Sequence, residues 1–94
     1  MSAYMIFQVL VTDPAKLSEY AARAMPIVAA HGGKPVGLGA ATVLQGSATS
    51  FDRGAVLEFP DRAAALAWYE SPEYQALLDL RGQAMNCSVV LIGG

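Results

Sequence analysis

The stretch EFPDRAAALAWYESPEYQALL, Glu58 to Leu78, joins the end of a strand, a short helix and the start of a further helix without interruption. Pro60 stops an extended run, and Asp61 is placed to cap a helix lasting through Glu70. Ser71 and Pro72 then restart a helix that runs to about Arg81, with Ser71 as its cap and Pro72 in its first turn, where a missing N–H costs nothing. The segment therefore predicts one helix delivered in two pieces.

Upstream, Gly54 to Phe59 reads as a strand in which Leu57 and Phe59 share one side and Val56 and Glu58 the other. Tyr4 to Val11 is an almost continuous apolar run, interrupted by Gln8 alone, as expected of a central strand. Asp13 and Pro14 open a helix carrying Leu17, Ala21, Ala24 and Val28 on one face. It is expected to reach about Ala30 in spite of Pro26, and His31, Gly32 and Gly33 supply its stop. Val36 to Gln45 is weakly patterned and glycine-rich, which suggests an edge strand, and Ser47 to Arg53 reads as a polar loop. Cys87 to Ile92 makes a final strand.

The resulting order, βαββαβ, is the split βαβ or ferredoxin-like arrangement of the α+β class. A four-stranded antiparallel sheet carries both helices on one face, the second helix being split. The 94 residues form a single domain, 1–94, because a second core would have no chain to draw on. Folding such a small chain buries only roughly 64% of its unfolded surface, so further burial is expected from another source.

Composition points to that source. Hydrophobic residues make up 54% of the chain and charged residues 15%, against about 25% charged in an average soluble domain. With Leu57 and Phe59 beneath the helices, the other sheet face is open, and its simplest cover is the same face of a second copy. A homodimer is expected, with Glu58 pointing to the face between the two copies.

The same numbers exclude several functions. With a net charge of −2 and six Lys and Arg scattered singly, the chain has no basic stripe for nucleic acid. No run approaches the roughly 20 apolar residues of a membrane span. The opening MSAYMIFQVLVTDP lacks a basic leader and reads as a first strand, so a cytoplasmic location is expected. Cys87 is the only cysteine and His31 the only histidine, which leaves no disulfide and no metal-binding spacing. The dispersed glycines form no phosphate loop, and no cofactor is expected.

LEFPDRAAALAWYESPEYQALL, together with Arg53, the early TDPAKLSEY, the HGG turn and the final VVLIGG, resembles the bacterial family called domain of unknown function 1330. The likeness covers nearly the whole chain, and SPEYQ is its most specific part. It implies the dimeric α/β barrel superfamily, in which two ferredoxin-like sheets pack face to face. Related barrel families include cofactor-free monooxygenases, small isomerases and haem enzymes, so the resemblance implies a fold and no activity. Leu38, ahead of Gly39 and Ala40, departs from the basic residue that relatives often carry there.

A few residues have the chemistry for a site. His31 has the one side chain that ordinarily titrates near neutrality, suiting a general base, whereas its place in the last helical turn suits a cap on terminal carbonyls. Glu58 in an apolar interior would have a raised pKa useful for acid or base work, with Gln8 beside it on the central strand. Its structural alternative is an ion pair with Arg53 or Lys34. Trp68, Tyr69 and Tyr74 either line an apolar pocket with polar tips or pack the core under the split helix. Ser71 reads as a cap and not a nucleophile, since no histidine adjoins it.

The leading expectation is a homodimer that holds a small apolar or aromatic molecule in a pocket between sheet and helices, with Gln8, Arg53, Trp68, Tyr69 and Tyr74 as candidate ligand contacts. One alternative is a cofactor-independent monooxygenase or isomerase that moves a proton through Glu58 or His31. The other is a purely structural or binding dimer without catalysis.

Overall fold

In the computed structural model, which describes residues 1–46 and 51–94, β1 (Ala3–Val11) is flanked on both sides by antiparallel partners. It pairs with β3 (Arg53–Phe59) on one side and β4 (Met85–Gly93) on the other, and β2 (Lys34–Ala40) adds to the outer edge of β3. The sheet order is β2-β3-β1-β4. The helices are α1 (Pro14–Ala30), α2 (Arg62–Glu70), α3 (Pro72–Gln75) and α4 (Leu78–Ala84). This is the ferredoxin-like βαββαβ order, with the helices on one face of a four-stranded antiparallel sheet.

Strand alternation decides what each face carries. Ala3, Met5, Phe7 and Val9 of β1 are buried with Leu57 and Phe59 of β3 beneath the helices. On the other face, Ile6 stands opposite Val56 on one neighbour and Val90 on the other, while Tyr4 stands opposite Glu58 and Ile92. Val90 and Ile92 keep 49% and 55% of their surface exposed, so an apolar stripe crosses three strands without cover in the single chain. Glu58 points to this face, as its strand position predicts.

Capping chemistry sets the helix limits. The Asp13 and Asp61 side chains accept from the backbone N–H groups of Lys16 and Ala64, at 3.2 and 2.8 Å. Helix α1 ends as its HGG sequence predicts: Gly32 adopts φ +79°, its N–H reaches the Ala29 carbonyl, and the Gly33 N–H reaches that of Val28. Pro26 lies inside α1 on its exposed side, where the backbone carbonyl it leaves without a donor is open to solvent instead of being buried. Ser71 is a buried N-cap, accepting from the Tyr74 N–H at 3.2 Å and donating to the Trp68 carbonyl at 2.8 Å.

Several boundaries depart from the sequence expectations, β4 among them, which spans Met85–Gly93 instead of Cys87–Ile92 because it pairs with β1 along its whole length. Strand β2 begins at Lys34 and ends at Ala40 instead of running from Val36 to Gln45, because its pairing follows β3, which starts at Arg53. A register shift between Pro35 and Gly37 accommodates part of its glycine content. The helical segment after Ser71 breaks again at Ala76–Leu77, where a tight bond from the Leu77 N–H to the Tyr74 carbonyl interrupts the α pattern, and α4 then continues to Ala84. Of the expected polar loop Ser47 to Arg53, residues 47–50 lie outside the described residues, and Arg53 already belongs to β3.

The core centres on Trp68, Tyr74, Phe59 and Val28, the largest side chains that are fully enclosed. The Trp68 ring lies 4.2 Å from that of Tyr74 and 5.5 Å from that of Phe59, and it meets the edge of Phe7 at 6.4 Å. No helix among the described residues is long and apolar enough to cross a membrane.

Candidate functional site

Helix α1 packs chiefly against α4 and leaves room over the β2–β3 side of the sheet. The residues facing across that room are small: Ala21 and Ala24 on α1, Gly54 and Ala55 on β3, Gly39 and Ala40 on β2. A cavity of about 530 Å³ results. Phe7, Leu57, Trp68 and Met85 make its wall largely apolar, while Ser18, Tyr20, Asp52 and Arg53 supply polar groups. Among the described residues, Asp52 and Arg53 are its only charged side chains. Leu38 also lines it and is 65% exposed.

Hydroxyls and one guanidinium meet where α1 packs against α3 and α4. The Tyr20 and Tyr74 hydroxyl oxygens lie 2.6 Å apart in the interior, and Arg81 Nη1 donates to the Tyr74 hydroxyl at 3.0 Å and to that of Tyr69 at 3.2 Å. The Arg81 guanidinium also sits over the Tyr69 and Tyr74 rings, 5.8 and 6.0 Å from their centres. Burial, reinforced by the neighbouring Tyr74, pushes the Tyr20 pKa far above its ordinary value. Burial likewise raises Tyr74, against the opposing hydrogen bonds from Tyr20 and Arg81. Both phenols are therefore neutral, and one of them donates to the other across the short contact. Trp68 Nε1 is a buried donor with no partner among the described residues.

The residues singled out from sequence divide between this cavity and other places. Trp68 and Arg53 line it. Tyr69 and Tyr74 stand behind it, joined to Arg81, and Tyr74 is fully enclosed in the core. Gln8 lies on the opposite, open face of β1. His31 Nδ1 lies 2.9 Å from the Ile27 carbonyl, the helix-capping arrangement weighed for it above.

Glu58 is also outside the cavity. Its carboxylate accepts from the Tyr4 hydroxyl at 3.1 Å and pairs with Lys34 at 3.7 Å. The Ser2 side chain, the Tyr4 hydroxyl and the Lys34 ammonium together hold its pKa below the usual carboxylate value. A raised pKa was expected from an apolar setting, and in the single chain these partners reverse the direction. Of the two ion-pair partners considered, Lys34 is the one found.

Sequence reading missed Tyr20 and Arg81. Tyr20 shares its helix face with Ala24 and Val28, which was the available signal, and Arg81 was read only as the end of a helix. The cavity itself had no sequence signature, because it is made by what small residues leave empty.

Among solved structures, a protein of unknown function from Rhodopseudomonas palustris is similar at 20% identity, covering 99% of this chain and 82% of its own, with a TM-score of 0.76. A dimeric ferredoxin-like protein of unknown function from Thermobifida fusca is similar at 18% identity, covering 100% and 92%, with a TM-score of 0.67. The N63A mutant of SnoaB, a cofactor-independent oxygenase from Streptomyces nogalater, is similar at 17% identity, covering 99% and 92%, also with a TM-score of 0.67. At these identities the likeness establishes the ferredoxin-like fold. No curated protein matches the chain. The family described as domain of unknown function (DUF1330) matches residues 2–94, the whole length of the fold described above, and the chain belongs to that family.

Proposed function

We propose that the protein binds a small, mainly apolar or aromatic molecule in the cavity between α1 and the β2–β3 side of the sheet. The observation that carries this reading is the cavity itself. Its volume of about 530 Å³ lies within the roughly 300–1,000 Å³ typical of small-molecule sites, and its wall is apolar with a few polar groups. Trp68 and Arg53 are its proposed contacts from the sequence candidates, and Tyr20 joins them. A proton-transfer function through Glu58 or His31 gains no support from positions off the cavity wall.

We further propose that the protein acts as a homodimer in the cytoplasm. The uncovered stripe of Ile6, Val56, Val90 and Ile92 supports self-association, as do two similar solved structures described as dimeric. The net charge of −2 supports a partner other than nucleic acid.

Titration of ¹⁵N-labelled protein with α-methylstyrene tests the binding reading. Trp68 is the only tryptophan, so its single indole N–H resonance reports on the cavity wall. Saturable movement of that resonance is expected, together with its loss in Ala55→Leu, whose longer side chain enters the cavity. Absence of saturable movement, or movement unchanged in Ala55→Leu, overturns the reading.

A further inference from the structure

Charged and apolar residues occupy opposite ends of the cavity. Arg53 pairs with Val9 near the end of β1, and the chain runs on from there into α1, whose second turn carries Ser18. Arg53, Asp52 and Ser18 therefore share one end of the lining. Leu57 pairs with Met5, four residues and about 13 Å further along β3. Trp68 and Val28 belong to that second end, since the Trp68 ring lies 5.5 Å from that of Phe59, and Val28 and Phe59 both close on Gly33.

Strand alternation puts the Arg53 side chain on the cavity side of the sheet. Ala55 and Leu57, two and four residues on, line the cavity, as do Ala40 and Leu38, the β2 partners of Arg53 and Ala55. Asp52 continues the same backbone pairing, its N–H reaching the Val9 carbonyl and its own carbonyl accepting from Ala41, so its side chain starts on the opposite side. The ion pairs among the described residues join Arg23 to Glu19 and Lys34 to Glu58. Arg53 thus brings the cavity a guanidinium that no carboxylate among the described residues engages.

We propose that Arg53 is the polar anchor of the cavity and that the ligand is an amphipathic monoanion, a carboxylate on an aromatic or aliphatic body. The inference rests on the cavity reading and sharpens it. A guanidinium presents paired N–H donors that match the two oxygens of a carboxylate, and the Ser18 hydroxyl offers a further donor from the facing helix. A doubly charged phosphate would meet one cation with the Asp52 carboxylate next to it in sequence, so a single negative charge fits better. The apolar body of the ligand then lies toward Leu57 and Trp68, away from water.

4-Phenylbutyrate, 4-phenylbutyramide and 4-phenylbutylamine carry an anionic, a neutral and a cationic head on one apolar frame. Calorimetric titration of the wild-type protein at neutral pH is expected to give the acid tighter binding than the amide by roughly threefold to tenfold, a modest margin because Arg53 is exposed. The amine should bind no tighter than the amide. Arg53→Gln should bring the acid down to the amide's affinity. Equal binding of acid and amide by wild type, tightest binding of the amine, or an intact preference in Arg53→Gln overturns the inference and leaves the cavity reading standing. Failure of all three compounds to bind overturns the cavity reading and this inference with it. Salt gives a test that needs no variant: the acid's advantage should shrink as sodium chloride is raised from about 50 mM to about 1 M. An advantage unchanged by salt overturns the assignment to Arg53.

Discussion

Gly33 meets the ring of Phe59 so closely that a Cβ on it would lie 2.5 Å from Phe59 Cε1, with Val28 Cγ1 only 2.7 Å away on the other side. The space is closed by core side chains of β3 and α1, neither of which is a flexible tip. Gly33→Ala is therefore expected to lose about 1–3 kcal/mol through overpacking, a fall of roughly 5–20 °C in Tm for a chain of this size. Gly82 is the contrasting case, since it lies within α4 with nothing near its missing Cβ. Gly82→Ala should raise stability by about 0.5–1 kcal/mol. Thermal melts of the two variants check both signs.

Glu58 predicts a pH dependence. Its pKa is lowered by Ser2, Tyr4 and Lys34, so its contribution is fully present above the unfolded value of 4.5 and is lost as pH falls through the lower folded value. Wild type should therefore be more stable than Glu58→Gln at pH 6–7, and the gap should close between about pH 4.5 and pH 3. A gap that widens on acidification would mean that the carboxyl group is held protonated, with its pKa raised instead of lowered. Urea melts at a series of pH values measure it.

The open sheet face predicts the assembly state. Val90 is half exposed and stands beside Ile6 in the middle of the apolar stripe. In a face-to-face dimer, Val90→Asp would bury an unpaired carboxylate twice, once for each copy, at several kcal/mol each. Light scattering at micromolar concentration should give twice the chain mass for wild type and the single chain mass for Val90→Asp. A single-chain mass for wild type would refute the dimer.

Ser71 predicts a local loss. Its hydroxyl both caps α3 through the Tyr74 N–H and donates to the Trp68 carbonyl, tying the end of α2 to the start of α3. Ser71→Ala should cost about 0.5–2 kcal/mol. Because Trp68 and Tyr74 stack across that junction, the tryptophan near-ultraviolet circular dichroism should change along with the melting temperature.

The parts of the fold that were legible in sequence are those governed by neighbours along the chain. Asp13, Asp61 and Ser71 announced helix starts, HGG announced a stop, and alternation separated Leu57 and Phe59 from Glu58. What remained hidden depends on elements distant in sequence. The end of β2 at Ala40 follows the start of β3 at Arg53, and the break at Leu77 comes from a single tight turn that leaves no composition signal. The site was harder still. Trp68 was read from sequence as a residue able to pack the core or line a pocket; it is buried in the core and lies in the cavity wall. Tyr20, Tyr74 and Arg81 come from three different helices, and only their meeting gives them a shared chemistry.

The lean of α1 toward α4 has a consequence for how this chain can diversify. Ala55 and Gly54 on the cavity wall are partly exposed, whereas Trp68, Phe59 and Val28 carry the buried packing. Exchanges at Ala55 alter the volume of the cavity while leaving those packed rings in place. Cavity shape and core packing can thus vary independently at Ala55, while at Trp68 and Val28, which belong to both, a change in one is a change in the other.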